Sequence, residues 1–200
     1  MNELRSILNA WRQNGPHHDQ AVLATVVHVT GSAYRRPGAR MLILPDGRRF
    51  GTISGGCLEG DVVRKASWWT SDQGTALRVF DNSSEDAAWE FGLGCNGVIT
   101  VLLERLALAQ VTEMLAFLDQ RQASRRSAVV ATVIRSSDTS RAAPGDRLDR
   151  AFHSHGLTVE GFRVRDERGD RRGLGQRDAR PELLGLCSAT GRSEREDDRQ

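Results

Sequence analysis

The segment Gly51-Thr-Ile-Ser-Gly-Gly-Cys-Leu-Glu-Gly60 carries the transition on which the fold turns. A strand ends at Ile53, Ser54-Gly55-Gly56 makes a tight turn, and a helix begins near Cys57. Downstream, Leu58, Val62, Ala66 and Trp69 recur at helical spacing and extend that helix to Trp69. Upstream, Arg40–Leu44 and Arg49–Ile53 flank Pro45-Asp46-Gly47, which has the turn chemistry of a hairpin. Ala21–Thr30 is rich in Val and Thr and reads as a strand. Leu4, Ile7, Leu8 and Trp11 mark one face of a short helix that ends near Gly15-Pro16. Further on, Ala76–Phe80, Val98–Leu103 and Ala128–Arg135 read as strands. Ser83–Trp89 reads as a capped helix, and Val111, Met114, Leu115 and Leu118 as the apolar face of another. The pattern predicts an α/β domain, a mixed sheet flanked by helices.

Composition bounds the function. Lys+Arg 28 against Asp+Glu 26 leaves a formal net charge of +2, without the clustered basic surplus of a general nucleic-acid binder. No apolar run approaches the roughly 18 residues that span a bilayer, and no secretory signal pattern opens the chain. Three widely spaced cysteines do not make a disulfide framework, so a reducing cytoplasm is the expected compartment.

The averages hide a break. Residues 147–200 carry 12 Arg and 11 Asp/Glu, roughly twice the charged fraction of residues 1–146. Such a segment buries too little apolar surface to offset its chain entropy. The expected organisation is a folded domain over 1–148 and an Arg/Asp/Glu-rich, poorly ordered tail over 149–200. An internal echo meets this break. Ala24-Thr25-Val26-Val27 returns as Ala131-Thr132-Val133-Ile134, Pro37-Gly38 as Pro144-Gly145, and Arg40 as Arg147, all offset by 107 residues. Met41 is matched by Leu148, after which Leu42-Ile43-Leu44 has only Asp149-Arg150-Ala151 opposite it. A frameshifted or degenerate C-terminus would leave this pattern.

Three segments hold candidate chemistry. Glycines let backbone approach a ligand, and N–H groups at a helix start favour an anion or thiolate, so Cys57 is expected to be reactive or metal-binding. Glu59 suits the first helical turn by the same dipole. The alternative is a helix cap over a small buried cysteine. Gly92-Leu-Gly-Cys-Asn-Gly97 has the G-x-G-x-x-G spelling, but a strand and not a helix follows, which excludes a dinucleotide fingerprint. It leaves Cys95 in a second glycine loop. The two loops either face one pocket or are separate structural turns. Gly31–Arg40 holds Arg35, Arg36 and Arg40, whose forks suit phosphate or carboxylate oxygens, with a solvated basic loop as the alternative. No P-loop, H-E-x-x-H, C-x-x-C or G-x-S-x-G pattern is present. With no acid–base pair evident, binding is expected in place of turnover, and no catalytic residue is assigned.

Taken together, Ala24-Thr-Val-Val, Gly31-Ser, Arg36-Pro-Gly-Ala-Arg-Met41, Gly51-Thr-Ile-Ser-Gly-Gly-Cys-Leu-Glu59 and Gly92-Leu-Gly-Cys-Asn-Gly97 resemble the N-terminal domain of the XdhC/CoxI family. The resemblance covers roughly residues 4–148. It implies an accessory chaperone of molybdenum hydroxylases such as xanthine dehydrogenase and carbon monoxide dehydrogenase. Such a protein binds molybdenum cofactor (molybdopterin) as cargo, assists its sulfuration with a cysteine desulfurase and delivers it to the apo-enzyme. A homodimer is expected. Cys57 matches the cofactor-linked cysteine and Cys95 the second glycine-loop cysteine. Arg35, Arg36, Arg40 and the amides of Gly55 and Gly56 would hold cofactor oxygens, with Ser54 and Glu59 in the same loop and Cys57 as the soft donor to metal or sulfur. Many members continue into a Rossmann-type domain, and no strand–GxGxxG–helix follows Leu148. The rivals are a thiol reductase or sulfurtransferase using Cys57, and a non-functional remnant.

Overall fold

The computed structural model describes residues 3–14, 19–81, 97–125, 128–134, 144–151 and 188–190. The Ser83–Trp89 helix and Cys95 lie outside them. Helix α1 (Glu3–Asn14) precedes strands β1 (Val22–Gly31), β2 (Arg40–Ile43) and β3 (Arg49–Gly51). Helix α2 (Glu59–Trp69) then leads to β4 (Thr75–Asp81), β5 (Gly97–Arg105) and α3 (Ala109–Ala123), followed by β6 (Ala128–Thr132), β7 (Arg147–Ala151) and β8 (Ser188–Thr190).

One sheet runs β3-β2-β1-β5-β4 and a second β7-β6-β8. Every pairing is antiparallel, which corrects the expected mixed sheet while the α/β class stands. The reason is topological. Strands β3 and β4, joined through α2, point the same way, as in a parallel crossover unit. They occupy opposite edges of the sheet, with β2, β1 and β5 between them.

Alternation along the central strands feeds two cores. Val22, Ala24 and Val26 of β1 join Met41, Ile43, Ile99, Val101 and Leu103 under Leu58, Val62 and Ala66 of the α2 segment. Leu23 and Leu42 point the other way, against Ile7 and Leu8 of α1, Met114 and Leu115 of α3, and Val130 of β6. With both faces covered, β1 is buried from Val22 to Val27 and shows no polar alternation. Helix α2 is seated from its C-terminal end. Arg105 on β5 donates from Nε to the Thr70 carbonyl at 3.0 Å and from Nη2 to the Ser67 carbonyl at 2.7 Å, meeting helix-end carbonyls with a cation.

The 107-residue echo is structural. Val26 N–H donates to Ala39 O at 2.9 Å, and Val26 O accepts from Gly38 N–H at 2.8 Å; Val133 does the same with Asp146 and Gly145, at 2.8 Å each. Gly38 and Gly145 share a left-handed φ, 96° and 101°, which glycine adopts without penalty. The register carries on: Thr25 faces Arg40 as Thr132 faces Arg147, and Leu23 faces Leu42 as Val130 faces Asp149. The composition break at residue 148 thus falls inside β7, and β8 pairs with the other edge of β6.

Candidate functional site

The Gly51–Gly60 loop is organised around one carboxylate. Glu59 is 1% exposed, and its Oε1 accepts from the backbone N–H groups of Ile53 at 3.0 Å, Ser54 at 2.9 Å and Gly55 at 3.2 Å. Its Oε2 accepts from Gly56 N–H at 2.9 Å and from the Ser54 hydroxyl, and the Thr52 hydroxyl donates to Oε1. Burial pushes this carboxyl up, but the Ser54 and Thr52 hydroxyls and the backbone donors outweigh it and hold it down at about 2. Ser54 is itself buried, and its Oγ accepts from Leu58 N–H at 2.9 Å, closing the turn into α2.

This arrangement bears on three expectations. The Gly55 and Gly56 amides point inward at Glu59 and do not face a ligand. Glu59 and Ser54 shape the loop from beneath it. Helix α2 starts at Glu59, so Cys57 stands in the turn before the helix, half-buried, above a carboxylate that has already taken the nearby N–H groups. What the loop exposes is the backbone of Gly55 and Gly56, held at φ 93° and 131°, followed by the half-buried Cys57. Thr52 was not foreseen; its hydroxyl both donates to Glu59 and accepts from Gly55 N–H at 3.1 Å. A Thr-x-Ser-Gly-Gly run followed by Glu is the signal that would have found it.

The Gly31–Arg40 loop lies alongside. A Cβ built on Gly55 would sit 3.4 Å from Tyr34 Cβ, so the backbone of one loop packs on the aromatic of the other. Tyr34, the only tyrosine in the chain, is 65% exposed. A lone aromatic beside Arg35 and Arg36 carries no spacing pattern that marks it in the sequence. On the far side of this loop, a Cβ on Gly97 would lie 2.4 Å from Ser32 O and 2.8 Å from Thr30 O. Gly97 is the last residue of the second glycine segment, so Gly55 of the Cys57 loop and Gly97 both abut residues 30–34. Cys95 itself lies outside the described residues.

The arginines separate. Arg35 is ion-paired with Glu3 of α1. Arg40 is buried on the α1 face of the sheet and donates from Nη1 to Gly38 O at 3.2 Å, which removes it from the group of outward cofactor contacts. Arg36 is exposed. Arg48 is held by Asp46 at 2.7 Å, so much of the local positive surplus is answered internally. Among the described residues, no group of three or more His, Cys, Asp and Glu side chains could hold a metal ion. A metal at Cys57 would therefore have to arrive with ligands of its own. Among them too, no helix is long and apolar enough to cross a membrane.

Both loops lie in the part of the chain that resembles known proteins. Residues 16–81, which contain both loops, match the XdhC and CoxI family. The chain is 48% identical over 89 residues to a protein of Bacillus subtilis (strain 168) described as a probable subunit of xanthine dehydrogenase, covering 44% of this chain and 27% of that protein. It is 36% identical over 105 residues to the molybdenum cofactor insertion chaperone PaoD of Escherichia coli (strain K12), covering 51% of this chain and 32% of PaoD. A crystal structure of a xanthine dehydrogenase from Bacillus halodurans superposes with a TM-score of 0.63 at 26% identity, covering 94% of this chain and 52% of that one. The chain thus spans about a third or less of the curated relatives it matches and about half of the solved structure.

Proposed function

We propose that this chain is a maturation chaperone that takes molybdenum cofactor as cargo and passes it to an apo molybdenum hydroxylase. The observation that carries this reading is the Glu59-centred loop, which packs the Gly55 backbone against Tyr34, two residues before Cys57. The likeness to a molybdenum cofactor insertion chaperone supports it from outside. The pieces suit such a cargo. A dithiolene-bound metal brings most of its own ligands and needs one soft donor from the protein, which Cys57 provides. A pterin is flat and can lie on an aromatic face such as that of Tyr34. Its phosphate suits a guanidinium, and Arg36 is the exposed one in the adjoining loop. Cys95 is proposed as the second sulfur. Sulfuration by a cysteine desulfurase would then take place on the bound cofactor in the cytoplasm.

Transfer is the direct test. Chain purified from a cofactor-producing host is mixed with separately prepared apo-hydroxylase, and hydroxylase activity is followed. Activity that rises with added chain, beyond what released cofactor alone gives, is expected. Equal recovery with and without the chain refutes delivery. Turnover of a persulfide or disulfide by the chain alone would favour a thiol enzyme instead.

A further inference from the structure

Helix α2 meets the cargo loop at Glu59, and its other end carries a second surface. Val62, Ala66 and Trp69 turn one side of the helix to the sheet. Asp61, Arg64, Lys65 and Trp68 follow at i, i+3, i+4 and i+7, which lines them up along one flank. Trp68 is 72% exposed, more than any other large apolar side chain among the described residues. Beside it, Trp69 lies edge-on to Phe80 of β4, with ring centroids 6.1 Å apart. Lys65 Nζ stands 5.8 Å and Arg78 Cζ 5.3 Å from the Trp69 ring centroid, so two cations bracket one indole. Strand β4 is the edge of the five-stranded sheet on this side, and it exposes Val79. A lone exposed apolar residue is ordinary; a tryptophan set among arginines and a second aromatic pair has the composition of a contact surface.

The charge of the flank selects the occupant. Asp61 holds both Arg64, at 3.1 Å, and Lys65, at 2.9 Å, so one carboxylate answers two cations. Arg78 and Arg105 on the adjoining strands donate to carbonyls and not to acids. With Asp72 as the other acid here, Arg64, Lys65, Arg78 and Arg105 leave the flank positive by two. A second copy of the chain would meet this face with the same face, positive against positive. An acidic surface meets it without that cost. The flank is also close to the cargo: Trp68 lies nine residues after Glu59, about 14 Å along the helix.

We propose that the Trp68 flank of α2, with the β4 edge beside it, docks the acceptor hydroxylase through an acidic surface that covers the Trp68 indole. The identity of this partner rests on the chaperone reading above. Cargo and acceptor then occupy the two ends of one helix, retention being set at the Cys57 loop and encounter with the acceptor at Trp68. Trp68 supplies the buried anchor and the cations steer the approach.

Binding of the full chain to the apo-hydroxylase of the transfer experiment is measured by biolayer interferometry at several salt concentrations, in wild type, Trp68→Ala, Trp68→Phe and Arg64→Glu. Cofactor retained per chain and mass by light scattering are measured alongside. Trp68→Ala should weaken binding about thirtyfold, the size of losing a central anchor, and Trp68→Phe should keep most of the affinity. Arg64→Glu should slow association several-fold and flatten its dependence on salt. Retained cofactor should match wild type in all three. Wild-type affinity in Trp68→Ala, or undiminished association of Arg64→Glu at low salt, overturns the proposal. So does a mass that falls from dimer to monomer in Trp68→Ala, because the flank is then an interface between copies. Should Trp68→Ala not fold, the association rate of Arg64→Glu decides in the same way. A wild type that carries cofactor but does not bind the apo-hydroxylase overturns the docking surface and leaves cargo binding standing. A wild type that binds the apo-hydroxylase but carries no cofactor refutes the cargo reading, and the variants then judge the docking surface by affinity alone.

Discussion

Replacing Glu59 by Gln keeps the shape of the side chain and removes the charge on which the Cys57 loop closes. The carboxylate takes four backbone N–H groups and two hydroxyls, and a carboxamide can accept at one end only, turning N–H against N–H at the other. The fall of its pKa from an ordinary 4.5 to about 2, at 1.36 kcal/mol per pH unit, corresponds to about 3 kcal/mol of native-state stability. That is a large part of the 5–15 kcal/mol typical of a whole domain. The sign follows from the direction. A carboxyl held lower in the folded state than in the unfolded one contributes fully above the unfolded value and loses that contribution as pH falls through the folded value. Urea unfolding of wild type and Glu59→Gln, followed by tryptophan fluorescence, should differ by about 3 kcal/mol at pH 7. The gap should narrow below pH 5 and be largely gone near pH 2. A wild-type midpoint in Glu59→Gln at pH 7, or a gap that does not change with pH, would refute the assignment of Glu59 as the organising anion.

Other perturbations have separate outcomes. Gly51→Ala puts a Cβ 2.2 Å from the Arg40 carbonyl at a left-handed φ of 86° and should cost about 3 kcal/mol or more. Gly47→Ala, at φ 84° with nothing within 4 Å, should cost only about 1–2 kcal/mol; thermal unfolding of the two variants checks the contrast. Tyr34→Leu should lower retained pterin several-fold, and Tyr34→Phe should not, because the ring face does the work; the fluorescence of oxidised pterin per chain measures it. Arg105→Met removes the cation from the end of α2 and should cost about 1–2 kcal/mol in urea unfolding while leaving cofactor retention unchanged.

Much of the architecture is written in local pattern. The Leu4–Trp11 face, the Pro45-Asp46-Gly47 turn and the Val111–Leu118 face each announce an element that burial then confirms. Strand order is not written there. Nothing local to Arg49–Gly51 or Thr75–Asp81 says that three strands separate them, because that depends on which hydrophobic faces find each other across the sheet. At the site, the glycine turn and Cys57 were legible as residue types. The direction of the amides was not: an N–H faces a ligand or a nearby carboxylate according to how the loop folds back, and Glu59 wins by proximity. Arg40 misleads for a similar reason. An arginine in a basic loop looks solvated until β2 pairs with β1 and buries it, with its guanidinium turned back onto the Gly38 carbonyl. The 107-residue echo, by contrast, was visible up to Leu148, since matched hairpins repeat their glycine and their arginine. That the pairing runs on through Asp149 to Ala151 was not, because those residues no longer match.

The cargo reading stands or falls on molybdenum and pterin measured per chain in wild type beside Cys57→Ala, both purified from a cofactor-producing host under reducing conditions. Wild type should carry the two in equal amounts. Cys57→Ala should unfold at the same temperature and retain at least tenfold less of both, the size of losing one soft donor at a metal site. Equal retention by the two proteins, or none by wild type, would contradict it.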